Sequence, residues 1–133
     1  PGVRKYMNKT KTEAKKIGYV ETLYGRRLYL PEISTGNAIR RQAAERVAIN
    51  APVQGTAADI MKKAMLSVND SLKKQKIDAK LILQVHDELV VESHEKDTEK
   101  VTKILTDSMS KAAQLSVPLE VEIGIGKNWD QAH

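Results

Sequence analysis

The sequence predicts an α+β fold, with a small antiparallel sheet, helices packed on one face of it, and an N-terminal helix and β-hairpin in front. Three observations predict it. Apolar residues recur at helical spacing in 38–50, 56–72 and 96–115. Short runs rich in Val, Ile, Leu and Tyr stand between them. The order is strand, helix, strand rather than a regular alternation of parallel units.

The elements follow in order. "PGVRKYMNKTKTEAKKIGYV" reads as the end of a helix stopped at Gly18, with Lys15 and Lys16 in its last turn, where cations suit the dipole. In "YVETLYGRRLYLPEI" two strand-like runs flank Gly25-Arg26-Arg27, a hairpin with a basic tip that Pro31 ends. Asn37 is placed to cap the next helix, "AIRRQAAERVAIN", in which Ile39, Ala43, Arg46, Val47 and Asn50 fall near one face. Pro52 is expected to interrupt that helix. A second helix is then expected from Thr56, with Thr56 and Asp59 as a capping pair and Met61, Ala64, Met65, Val68 and Leu72 as its core stripe.

"AKLILQV" and "ELVVES" read as strands that meet at His86-Asp87-Glu88. "KDTEKVTKILTDSMSKAAQL" reads as an amphipathic helix with Val101, Ile104, Leu105 and Met109 inward. In "VPLEVEIGIG", Leu119, Val121, Ile123 and Ile125 alternate with Glu120 and Glu122, which predicts a last strand.

Composition narrows the function. The 133 residues suffice for a core, and 41% are hydrophobic. No cysteine is present, so disulfides and thiolate metal sites are excluded and a reducing, cytoplasmic setting is expected. No run is long enough to span a membrane. The chain opens on proline inside a helical pattern, and a piece of a longer protein is expected. The net charge of +5 is unevenly spread, since residues 1–46 hold eleven of the 22 Lys and Arg but four of the 17 Asp and Glu. Such a segment is a solvated helix face or a site for a polyanion such as nucleic acid.

The histidines have no triad or zinc spacing, and neither a Walker loop nor a dinucleotide fingerprint occurs. Three features remain. Asp87-Glu88 stands at a strand-to-strand corner without glycine, as a solvated turn or as oxygen ligands for Mg²⁺. Arg46, Asn50 and Gln54, spaced by four, form a polar helix flank or a set of donors to base edges. Arg40-Arg41 and the hairpin tip are exposed cations or phosphate contacts.

"AERVAINAPVQGTAADIMKKAM" followed by "QVHDELVVES" resembles the C-terminal part of the bacterial family A DNA polymerases, as do "GYVETLYGRRLYLPEI" and the ending "NWDQAH". The resemblance covers essentially the whole chain. It implies the end of a fingers subdomain in 1–36 and a palm portion in 37–133. It implies Asp87 as a catalytic metal ligand and Glu88 beside it, with two Mg²⁺ in the complete site. His86, Gln84, Arg46, Asn50, Gln54, Arg40 and Arg41 would bind primer–template DNA, and deoxynucleoside triphosphates would be substrates of the parent in DNA replication and repair. The family's other catalytic aspartate and its nucleotide-binding fingers helix lie upstream of these motifs, so the 133 residues alone are expected to be inactive. They are also expected to self-associate through an open sheet edge. The rival reading is a non-catalytic duplex-binding module.

Overall fold

Residues Gly2–Ile17 form α1. Its end is set by Gly18, whose φ of 83° is left-handed and cheap only for glycine, and whose N–H reaches the Ala14 carbonyl at 2.8 Å. The chain then reverses through β1 (Tyr19–Glu21) and β2 (Arg27–Tyr29), an antiparallel pair with Val20 opposite Leu28. Asn37 caps α2 (Ala38–Lys74) as expected, since its Oδ1 accepts from the amides of Ile39 and Arg40.

The computed structural model describes residues 1–133, and these fall into two units, Pro1–Asp59 and Ile60–His133. In the first unit Ala14, Val20, Leu30, Ile33 and Ala48 make the core, with Ala44 and Ala51 against it. Small residues predominate, so helix and hairpin backbones approach closely. Lys15 Nζ lies 3.0 Å from Glu45 Oε1. That hydrogen bond, first, and the charges of Lys15, Lys11 and Arg41 hold the Glu45 carboxyl below its ordinary value, against a smaller opposing effect of burial.

One expectation fails here. The helix does not stop at Pro52 and restart at Thr56; α2 runs unbroken over Ala38–Lys74 with Pro52 inside it. Proline removes one amide donor and crowds the carbonyl of Ala48, a cost that the flanking turns and their packing outweigh. Thr56 and Asp59 therefore lie within a helix and cap nothing. Their side chains serve the hairpin instead.

In the second unit the apolar stripe of α2 is as expected, with Ala64, Val68 and Leu72 buried and Met61 and Met65 half-buried. Val68 and Leu72 pack with Val101 and Ile104 of α3 (Thr98–Ser110), which follows a 3-10 turn at Glu95–Asp97. The polar residue on that seam, Ser108, is matched by Ser67, hydroxyl to hydroxyl at 3.2 Å. The sheet is β3 (Ala79–Val85) paired antiparallel with β4 (Glu88–Ser93), and Ala79, Leu89 and Val91 pack on the same core.

The second correction concerns 117–126, which forms no strand. The alternation survives as burial up to Ile123: Leu119, Val121 and Ile123 are half-buried while Glu120 and Glu122 are exposed, but Ile125, expected on the same face, is 65% exposed. Its backbone forms no ladder with β3 or β4, and a strand exists only through a partner's hydrogen bonds. A short helix, α4 (Trp129–Ala132), closes the chain, capped by Asn128.

Candidate active site and nucleic-acid face

The corner between β3 and β4 is built by a slip in register. Leu81 pairs with Val91, but Leu83 pairs with Val90, so Ile82 has no opposite number. Carried unshifted, the first register would set Val85 opposite Asp87 and leave one residue for the turn. The bulge sets Val85 opposite Glu88, and His86-Asp87 becomes a two-residue loop.

His86 has a φ of 51°. That left-handed conformation costs a residue with a Cβ about 1–2 kcal/mol, and hairpins usually place glycine there. The Gln84 side chain donates from Nε2 to the His86 carbonyl at 2.7 Å and pins the loop. His86 and Asp87 are exposed, and the Asp87 carboxylate takes no hydrogen bond or ion pair within the chain. Glu88 differs. It is half-buried, and its Oε1 lies 3.3 Å from Nε2 of His133, whose ring stacks on Trp129. His133 was missed by sequence reasoning; only its place in the terminal "NWDQAH" pointed to it.

A divalent cation needs several oxygen ligands. Asp87 offers a hard carboxylate with both oxygens open, so it fits as one of them. No group of three His, Cys, Asp or Glu in the chain could hold a metal ion alone.

The α2 residues Arg46, Asn50 and Gln54 are all exposed, opposite to the buried Ala48 and half-buried Ala44 and Ala51. Because α2 continues through Pro52, their i, i+4, i+8 alignment holds to Gln54. None of the three side chains is engaged within the chain. Ile39, Val47 and Val53 share the exposed side. Arg40 and Arg41 are partly engaged: Arg40 lies 3.5 Å from Glu32, and Arg41 donates to the Thr35 carbonyl at 3.3 Å.

The hairpin tip is less available than its sequence implied. Arg27 is held by Glu21 at 2.7 Å and lies 4.5 Å over the Tyr19 ring. The Glu21 hydrogen bond, with one from Tyr29, raises its guanidinium further above the ordinary range. Arg26 is bound to Asp59 at 2.9 Å. Both arginines are paired with carboxylates of the first unit.

The chain thus presents a free carboxylate on a strained hairpin corner and, on α2, a face of unengaged Arg, Asn and Gln. A solved structure described as the POL domain of Pol1 from M. smegmatis in complex with DNA primer-template and dNTP matches 98% of this chain and 23% of its own, with TM-score 0.96 and 45% identity. DNA polymerase I of Pseudomonas aeruginosa is 58% identical over all 133 residues, which are 15% of its length. DNA polymerase I of Deinococcus radiodurans is 49% identical over 129 residues, 97% of this chain and 13% of that protein. The sequence model of DNA polymerase family A matches residues 1–131, and the chain belongs to that family.

Proposed function

We propose that this chain is a segment of a DNA-directed DNA polymerase, and that it carries half of the catalytic carboxylates and part of the duplex-binding face. The observation that carries the reading is Asp87, an unengaged carboxylate on a left-handed, glycine-free corner, within a chain of this family. Residues 1–36 act as the end of the fingers and 37–133 as the palm portion. The substrates are primer–template DNA and deoxynucleoside triphosphates, and the setting is cytoplasmic; no helix is long and apolar enough to cross a membrane.

Asp87 would hold one side of a Mg²⁺ site, which a carboxylate outside these residues would complete. Bound Mg²⁺ supplies Lewis-acid stabilisation of the charge that develops in nucleotidyl transfer to the primer 3′-hydroxyl. Glu88, oriented by His133, keeps a second negative charge beside that position. His86 and Gln84 shape the corner near the primer end. Arg46, Asn50 and Gln54 donate to minor-groove acceptors, which every base pair presents and which therefore suit an enzyme that must accept any correct pair. Arg40 and Arg41 contact phosphates; the exposed pair with Glu32 is weak enough to exchange.

The test is a chimera in which this chain replaces the matching residues of the Pseudomonas aeruginosa relative, with and without Asp87→Asn. Loss of primer extension with retained duplex binding supports the metal role. Extension near the unsubstituted rate refutes it. Duplex binding that survives in a chimera inert even with Asp87 intact would favour the non-catalytic module.

The isolated 133 residues extend no primer, and a signal from the purified chain would overturn this. They also self-associate, because the two-stranded sheet has open edges and Ile82 is 54% exposed beside them. A strictly monomeric chain at high concentration in light scattering would refute that.

A further inference from the structure

Within the first unit one carboxylate gathers more of the structure than any motif assigns to it. Thr22 Oγ1 donates to Asp59 Oδ2 at 2.7 Å, and Arg26 Nε donates to Asp59 Oδ1 at 2.9 Å. The same guanidinium donates from Nη2 to the Gly55 carbonyl at 3.3 Å. The Leu23 amide donates to Thr56 Oγ1 at 2.9 Å. Thr22 Oγ1 in turn accepts from the amides of Tyr24 and Arg26 at 3.3 Å each. Thr22 is buried, and Asp59 keeps only 18% of its side chain exposed. The hairpin loop is thus tied to one turn of α2, residues 55–59.

That turn follows the weakest point of the helix. Pro52 has no amide hydrogen, so the carbonyl four residues before it loses its helical donor. Gln54, the last of the three base-facing residues, lies between this interruption and the tie at Gly55. The approach is close: a Cβ at Gly55 would lie 2.7 Å from Thr22 Cγ2. Gln54 itself lines a cleft of about 300 Å³ with Arg26, Arg27 and Thr22.

We infer that Asp59 is a positioning residue: through Arg26 and the Gly55 carbonyl it fixes the turn that aims Gln54 at the primer–template minor groove. Arg26 accordingly acts inward and is not a phosphate contact. The inference rests on the proposed duplex-binding role of the α2 face.

The experiment uses the same full-length chimera and measures primer–template Kd and kcat at saturating DNA. The variants are Gln54→Ala, Asp59→Ala, their double, and the milder Asp59→Asn and Arg26→Lys. Asp59→Ala is expected to raise Kd about tenfold with kcat within about twofold. The double variant is expected to bind within about twofold of the weaker single, since both changes remove one interaction. Arg26→Lys, which keeps the charge but not the fork, is expected to follow Asp59→Ala at smaller size. If Asp59→Ala does not fold, Asp59→Asn takes its place in the cycle.

Additive losses in the double variant, or an unchanged Kd for the Asp59 variants beside a weakened Gln54→Ala, overturn the positioning role and leave the duplex face standing. An unchanged Kd for Gln54→Ala removes the duplex face at Gln54, and the inference with it.

Discussion

Lys76→Gly should make this protein more stable, although it removes a side chain and adds none. The end of α2 closes by two crossed bonds, Ile77 N–H to the Leu72 carbonyl at 3.0 Å and Lys76 N–H to the Lys73 carbonyl at 3.1 Å. Ile77 then packs on the cluster that contains Leu72. This is a Schellman ending, and its left-handed position, normally glycine, is Lys76 with φ 54°. A residue with a Cβ there costs about 1–2 kcal/mol. Glycine's extra freedom in the unfolded chain offsets about 0.5–1 kcal/mol of that. Lys76 is exposed and its side chain takes no partner, so no contact is lost. The net gain is about 0.5–1 kcal/mol. With a slope of about 1.5 kcal/mol/M, the urea midpoint rises by about 0.3–0.7 M at unchanged slope. Lys76→Ala is the control, because it deletes the lysine and keeps the strained φ. An equal gain from Lys76→Ala, or none from Lys76→Gly, would refute the reasoning.

Other expectations can be checked alongside. Val68→Ala, at a position with no exposed surface, should cost about 1.5–3 kcal/mol in urea unfolding, and less than 0.5 would contradict the packing described. The Glu45 carboxyl is held low in the folded state, so its contribution is complete above the ordinary carboxylate pKa and fades as pH falls through the depressed folded value. Stability curves of the wild type and Glu45→Gln should therefore differ at pH 6 and converge on acidification; parallel curves would refute the pairing with Lys15. His86→Gly should relieve strain at φ 51° and leave stability equal or higher while primer extension by the chimera falls. Unaltered extension would make the corner histidine a mere turn residue.

Signals local in sequence were legible, and signals that join distant residues were not. Gly18, the Asn37 cap, the stripe of Val68 and Leu72, and the inward face of α3 each depend on neighbours within a turn or two, and each reads off spacing. Pro52 misled because its cost is local while the compensation is not. The tie from Thr22, Leu23 and Arg26 to the turn after it spans about thirty residues, and nothing in "TLYGRR" or "QGTAAD" announces a pairing. For the same reason the capping pattern Thr56–Asp59 was genuine as chemistry and wrong as to its partner. The hydroxyl and the carboxylate do satisfy backbone and side-chain donors, but those donors belong to the hairpin. The segment 117–126 shows the complementary limit. Alternation reports which side of a segment is apolar, and the burial of Leu119, Val121 and Ile123 keeps that pattern. Whether the segment is a strand depends on a neighbour with free amides and carbonyls in register, a property of another piece of chain. The corner at His86-Asp87-Glu88 combines both cases. Its missing glycine was visible, and a residue with a Cβ therefore takes the left-handed position at His86. The bulge at Ile82 that makes it a two-residue loop was not, because a one-residue slip leaves the composition of both strands unchanged.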